Sequence, residues 1–424
     1  MKLMLLTEYY PPDVTAAGIR MNEFAKVFSE QKYLDTRVIV SSTIYKSKYF
    51  RLYSMCSDNV DIVRYGRKYL PHFLLSSISP FALIFWLVLL IKEIRDFKPD
   101  ILVTTAPSYI PSIAIYFLSK IFGKPFCIDI RDEWINSSII DFNIQLYPFY
   151  LKYPSKFMYV ILHYLFICSC KNAILLSLVY DAMRKELLEC TDFKIPIVTI
   201  PNGINFSELE QIEKGFDRNR VLTSNHIAFR PSTRIVIFVG VVGVYYKPEV
   251  LINHLRKLIK YDKMDINYLV VGGGDKKEMI KNLAKEMMID DNVFVLGKRA
   301  HSETIELILA SDVAFYPLDE TYPSPDCALG VKILEYIACK LPILSIASDR
   351  SIVSQLVTDY KIGISLRWDE EDRLGNALKE ILYNKEYLDN IEKSYNFFIQ
   401  EFDRRKNGER LFLKISELLP KRNK

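Results

Sequence analysis

The sequence predicts an α/β protein of two doubly wound domains, each a parallel sheet with helices on both faces. Three observations carry this. Short, β-prone apolar runs alternate with helical patterns from Lys2 onward, the order that parallel strands joined by crossover helices require. Several of those runs end in proline- or glycine-rich turns, at Pro11-Pro12, Gly240 and Gly272-Gly273-Gly274, which break regular structure at strand ends. The chain has 424 residues, 50% hydrophobic and 25% charged. Such a length suggests two or three domains, and the composition can bury two cores.

Charge and cysteine content narrow the function. A formal charge of +5 is small for this length, and no nucleic-acid motif is present, so no nucleic-acid partner is expected. The 7 cysteines are odd in number and scattered, which argues for reduced thiols in the cytoplasm. Cys168-Ser169-Cys170 is the one close pair; without a partner pair or a histidine cluster no metal site is expected. The apolar run after Lys2 meets Glu8, too short for a signal peptide. Phe73 to Ile91 is interrupted by Ser76, Ser77, Ser79 and Pro80, and a span needs about 20 apolar residues; it reads as a buried helix instead.

In order, Lys2 to Leu6 is an apolar strand and Thr7 to Gly18 a loop broken by prolines, followed by a helix over Ile19 to Glu30. Strands at Thr36–Ser41 and Val60–Arg64 precede a helix ending near Phe97, the strand Ile101–Thr105, the helix Pro111–Phe122 and the strand Phe126–Ile130. That last strand releases Asp129, Arg131, Asp132 and Trp134 at a carboxyl edge, where ligands bind in such sheets. From Asn136 to Phe166 the chain is aromatic and moderately basic, with Tyr147, Lys152, Lys156 and Tyr159. It reads either as core and surface or as an interfacial segment resting on anionic lipid. Strands at Asn172–Ser177 and Val198–Ile200 lead to the turn Pro201-Asn202-Gly203.

Residues 1–205 are thus expected to form one domain and the polar stretch 206–232 a linker. A second domain covers 233–395, and an amphipathic helix covers 396–424. The second domain opens with the strand Arg234–Val239 and the turn Gly240–Lys247, where Gly240 and Gly243 admit a ligand to the backbone and Lys247 can reach a phosphate. Gly272-Gly273-Gly274 is a tight βα turn by composition, and the strand Val293–Gly297 follows, with Arg299 just beyond it. The central stretch is Pro323 to Ser345. Asp326, Ala328 and Gly330 form a small-residue turn, and the helix after them points its positive end toward the same ligand, which suits a phosphate. Lys332 and Glu335 share a helical face at i, i+3. Alone, that pair is equally a solvated ion pair or a binding pair.

Gly330, Glu335, Ala338 and Pro342, together with Pro201-Asn202-Gly203-Ile204-Asn205, resemble the signatures of the family-4 glycosyltransferases. The resemblance spans nearly the whole chain. It implies two Rossmann-like doubly wound domains facing across a cleft, the GT-B fold, with the last helix crossing back to the first domain. The implied activity is transfer of a hexosyl group, with retention and without metal or other cofactor, from a nucleotide-sugar donor to a saccharide or polyprenyl-linked saccharide in surface-polysaccharide synthesis. Such an enzyme would be cytoplasmic, with peripheral contact at the inner face of the membrane. On this resemblance Asp132, Arg131, Asp326 and Lys332 are the catalytic candidates. Gly18, Arg20, Asn202, Gly243, Lys247, Gly272, Arg299, Leu329, Gly330, Val331, Lys332 and Glu335 are the donor-binding ones. Glu335 falls where the family binds the donor ribose, and Lys247, Lys332 and helix amides make a positive pocket for the departing diphosphate. The chain departs from the family at Cys327, where relatives carry an acid, at Val241, where many carry an arginine, and in lacking a histidine near Arg131. A nucleotide-sugar epimerase of the same architecture and a non-catalytic partner subunit are the alternative readings.

Overall fold

A computed structural model describes residues 1–11, 16–32, 34–40, 51–57, 60–65, 80–106, 109–131, 149–190, 194–243, 245–322 and 329–419. The chain divides into two compact units, residues 1–202 with 404–424 and residues 203–403.

Unit 1 runs β1 (Lys2–Thr7), α1 (Ala16–Ser29), β2 (Asp35–Val40), β3 (Arg51–Ser57) and β4 (Val60–Tyr65). It continues with α2 (Pro80–Phe97), β5 (Ile101–Ala106), α3 (Tyr109–Phe122), β6 (Phe126–Ile130), α4 (Phe149–Asn172), β7 (Leu175–Leu178), α5 (Asp181–Cys190) and β8 (Ile197–Thr199). Its sheet has the order β3-β4-β2-β1-β5-β6-β7-β8. The pairings are parallel, except that β3 lies antiparallel on β4 at the edge. The central strands β1, β5 and β6 are buried along nearly their whole length, as strands covered on both faces must be. The expectation of a buried helix up to Phe97 needs correction. Ala82, Trp86, Leu90 and Ile94 of α2 face inward, while Ile84 and Val88 stand exposed. No helix among the described residues is long and apolar enough to cross a membrane.

Unit 2 begins with α6 (Phe206–Lys214) and α7 (Arg218–Ser224), so the stretch read as a polar linker is in large part helical. Asn205 caps α6 by accepting from the Glu208 N–H, and Asp217 caps α7 by accepting from Asn219 and Arg220. Both bury an apolar stripe, Phe206 with Leu209 and Val221 with Leu222, and pack toward the helix that follows β11. The unit continues β9 (Arg234–Val239), α8 (Val250–Lys260), β10 (Ile266–Val271), α9 (Lys277–Glu286), β11 (Val293–Gly297), α10 (His301–Leu309) and β12 (Val313–Pro317). Then come α11 (Val331–Ala338), β13 (Ile343–Ile346), α12 (Ile352–Asp359), β14 (Gly363–Leu366), α13 (Leu374–Tyr383) and α14 (Glu386–Phe402). The sheet order is β11-β10-β9-β12-β13-β14, all parallel.

The chain then returns to unit 1 with α15 (Arg404–Leu418), so the amphipathic tail is two helices broken at Asp403. This last helix packs on α1. Leu411 and Ile415 join the core of Phe24, Val27 and Phe28, and Gly408 lets the two backbones approach, since a Cβ there would lie 3.0 Å from Val27.

Candidate functional site

In unit 2 the strand order reverses beside β9, with β10 on one side and β12 on the other. The carboxyl ends of two such strands frame the crevice where doubly wound sheets bind ligands. The turns after β9 and β10 lock together there. The Val242 N–H donates to the Gly273 carbonyl at 2.8 Å, and the Gly272 N–H to Gly297 at the end of β11 at 2.8 Å. Gly272 and Gly274 have φ of +141° and +143°, and a Cβ on either would be driven into the carbonyl of Gly240 or Val242. Only glycine fits both the torsion and the approach. Gly243 is not constrained in this way, as a Cβ there would meet Val241 at an ordinary 3.6 Å.

The β9 turn also folds onto the segment after β12. The Asp319 N–H donates to the Tyr245 carbonyl at 2.9 Å, and the ammonium of Lys247 forms an ion pair with the Asp319 carboxylate. Lys247 lies 5.3 Å from the centroid of the Trp368 ring, whose Nε1–H donates to the Leu318 carbonyl at 2.8 Å. Asp319 further accepts from the Thr321 N–H at 2.7 Å. Burial alone would raise its pKa, but the hydrogen bonds from Lys247 and Thr321 outweigh burial and hold the carboxyl below the usual aspartate range.

Beneath the start of α11, the hydroxyls of Tyr246 and Tyr316 are 3.1 Å apart, and burial pushes both phenols up. Gly330 is the N-cap of α11, and a Cβ there would come within 2.9 Å of the Tyr316 hydroxyl. This close seating sets the first turn of α11, whose N–H groups lack intrahelical acceptors, over the end of β12. From that first turn Lys332 Nζ donates to both oxygens of Glu335 on the next, at 3.0 and 2.7 Å. The Glu335 side chain is only 4% exposed, against 35% for Lys332, and His301 Nδ1 at the start of α10 stands 3.8 Å from it. A carboxylate so buried needs its cation, and the ammonium is the more exposed member of the pair.

The structure brings Gly243, Lys247, Gly272, Arg299, Leu329, Gly330, Val331, Lys332 and Glu335 to the carboxyl edge of one sheet. Arg299 is exposed in the turn after β11 and has no ion-pair or hydrogen-bond partner among the described residues. The positive pocket expected from two ammonium groups needs correction, because Lys247 and Lys332 each have a buried carboxylate partner. Its positive character comes from the N-terminus of α11 and from Arg299, with each lysine available only by exchange. Asp319, Trp368, His301 and the Tyr246–Tyr316 pair are the residues sequence reasoning missed. Their contacts are tertiary and leave no spacing in the chain.

Apart from Asp326, the remaining candidates belong to unit 1. Gly18, expected at the end of a loop, lies inside α1, as does Arg20, which was expected in the helix and on the donor. Arg20 is buried, with Nε and Nη2 on the two Asp129 oxygens at 3.0 and 2.9 Å and further bonds to the Ile200 and Pro201 carbonyls at 2.7 and 2.8 Å. Its donors are directed into the interior of unit 1, which corrects its assignment to the donor. Arg131 is buried as well, with Nε donating to Thr105 Oγ1 at 2.7 Å. Asn202 Nδ2 lies 3.4 Å from the Tyr180 hydroxyl. Asp132 and Asp326 lie outside the described residues.

Comparison with known proteins bears on the fold and on the family likeness of residues 222–396. An uncharacterized glycosyltransferase of Haemophilus influenzae is 27% identical over 180 residues, which are 42% of this chain and 47% of that protein. Sucrose-phosphate synthase of Thermosynechococcus elongatus superposes with a TM-score of 0.70 over 99% of both chains at 14% identity. Anabaena HepE, solved with UDP and glucose, superposes with a TM-score of 0.65 over 98% of this chain and 100% of its own at 13% identity. Residues 222–396 match the family model described as glycosyl transferases group 1, and the chain as a whole has the two-domain α/β architecture of GT-B glycosyltransferases.

Proposed function

We propose that the protein transfers a hexosyl group from a nucleoside-diphosphate sugar to a saccharide or polyprenyl-linked saccharide, with retention and without a metal ion, at the cytoplasmic face of the membrane. The observation that carries this is the junction of the α11 N-terminus with the Lys332–Glu335 pair at the strand-order reversal of unit 2. A diphosphate against that helix end meets the backbone N–H groups of its first turn and the positive end of the dipole. Its negative charge competes with Glu335 for the Lys332 ammonium. Glu335, released from one or both of those bonds, then accepts from the ribose hydroxyls. As the bond from the anomeric carbon to the diphosphate breaks, the electron pair stays on the diphosphate, where Lys332, Lys247 and the helix amides stabilise it. The acceptor hydroxyl passes its proton to an oxygen of the departing diphosphate as its own oxygen bonds the anomeric carbon. HepE, which shares the fold, was solved with UDP and glucose, which is consistent with a donor of this class.

Titrating uridine, guanosine and adenosine diphosphate sugars in a thermal-shift assay tests the reading, because the donor stabilises the folded state by mass action. One of them should raise the melting temperature, and Glu335→Gln should weaken that ligand roughly tenfold or more while Lys332→Ala lowers turnover about a hundredfold. No shift with any nucleoside diphosphate sugar, or full turnover in Lys332→Ala, overturns the proposal.

A further inference from the structure

Deepening the reading of a lipid-linked acceptor, and resting on it for its biological sense alone, we propose that the outer face of α2, α3 and α4 lies on an anionic lipid surface. The sheet order puts these helices side by side. Each leads a crossover that moves the same way across the sheet, from β4 to β5, β5 to β6 and β6 to β7. Right-handed crossovers therefore set all three on one face. The crossover from β1 to β2 runs the other way, so α1 and the α15 packed on it take the opposite face. The structure agrees, with α3 packed between α2 and α4.

The inward sides of these helices are buried, but their outward sides are not polar. Ile84, Val88, Ile121, Phe157, Val160 and Tyr164 are each 58–69% exposed. Residues 84 and 88, and 157, 160 and 164, follow helical spacing, so α2 and α4 each present a stripe, and α3 adds Ile121 with Phe117 one turn before it. A run of large apolar side chains across three adjacent helices exceeds the isolated exposed residues that ordinary surfaces carry.

Charge decides what covers it. Glu93 and Asp96 are the only acids in the three helices. Glu93 is buried and paired with Arg37, and Asp96 sits beside Arg95 on the last turn of α2. Lys92, Arg95, Lys120 and Lys171 are exposed. The three helices run in the same direction, so these cations, all in their carboxyl-terminal halves, line one border of the apolar face, and Lys152 and Lys156 add two more bases to the sequence of the amino-terminal half of α4. An apolar face on helices this rich in bases and poor in acids matches acyl chains beneath an anionic headgroup layer. A second copy of the chain does not fit as well, because a self-contact would set these basic helices against the same basic helices, with Asp96 the one exposed acid among them to offset the charge. With no described helix able to span, the face lies on the surface.

Flotation of the full chain tests this. The protein should float with vesicles of phosphatidylcholine containing about 30% phosphatidylglycerol and not with phosphatidylcholine alone. Raising salt from about 0.05 to about 0.5 M should reduce binding roughly tenfold or more. The double variant Val88→Glu/Tyr164→Glu should lose flotation while its melting curve stays cooperative, and Lys92→Glu/Lys171→Glu should weaken it by about tenfold through charge alone. Failure of the wild type to float on anionic vesicles overturns the proposal, as does binding that both variants retain. A concentration-dependent dimer in sedimentation velocity that Val88→Glu/Tyr164→Glu splits would give the face to a second copy instead. Flotation needs neither donor nor turnover, so its failure leaves glycosyl transfer standing, and a missing nucleotide shift leaves the lipid face standing.

Discussion

Asp319 holds the position of Lys247, and its protonation is the part of the site most open to direct measurement. Its folded-state pKa is depressed, so the stability it contributes is present above the unfolded value, about 3.9, and is lost as pH falls through the lower folded value. Melting temperatures of the wild type and Asp319→Asn should therefore differ near neutral pH and converge as pH drops below about 4. A difference that stays constant down to about pH 2 would remove the ion pair from the account. Residue scale is also where reading the chain alone succeeded least. Lys332 and Glu335 were legible because three residues along a helix place two side chains on one face. The Arg20–Asp129 pair joins residues 109 apart in sequence, and the Lys247–Asp319 pair joins two different turns. Nothing in local periodicity marks either one, and a buried guanidinium in unit 1 reads from the chain like a phosphate ligand near its loop.

Among the elements, the interlocked glycine turns after β9 and β10 bear on function most directly. Gly272→Ala would force a Cβ into the Gly240 carbonyl at a torsion that L residues avoid. It should cost about 3 kcal/mol or more in urea unfolding, well beyond an ordinary surface substitution. A cost below about 1 kcal/mol would mean that the turns slide apart without harm. The parallel strands were legible because doubly buried strands are continuous apolar runs, and Phe126–Ile130, Arg234–Val239 and Val293–Gly297 have the expected bounds. The helices α6 and α7 were not. Charges at Glu208, Glu210, Glu213 and Arg218 give the stretch a linker's composition, while the informative signals were the caps Asn205 and Asp217 ahead of short apolar stripes. The edge strand β3 pairs antiparallel and so falls outside the βα alternation from which the sheet was inferred.

At the scale of the whole molecule, unit 2 is one continuous segment, whereas unit 1 is assembled from both ends of the chain. Asn407 Nδ2 donates to the Pro201 carbonyl at 3.1 Å, the carbonyl that Arg20 also uses, and Arg405 pairs with Glu30. A stop codon in place of Arg404 should therefore damage unit 1 selectively. Dye binding should report newly uncovered Phe24 and Phe28 on α1, and the melt should split, with the transition belonging to residues 203–403 persisting. An unchanged single transition would show that α15 is dispensable. The two-part construction of unit 1 also sets an order on biosynthesis. A ribosome releases the chain from its amino terminus at about 5–20 residues per second, so the first sheet must wait through the synthesis of an entire second unit before its closing helix emerges. In that interval the greasy side of α1 is an aggregation hazard, and a chaperone that recognises nascent apolar surface would find its longest-lived target there.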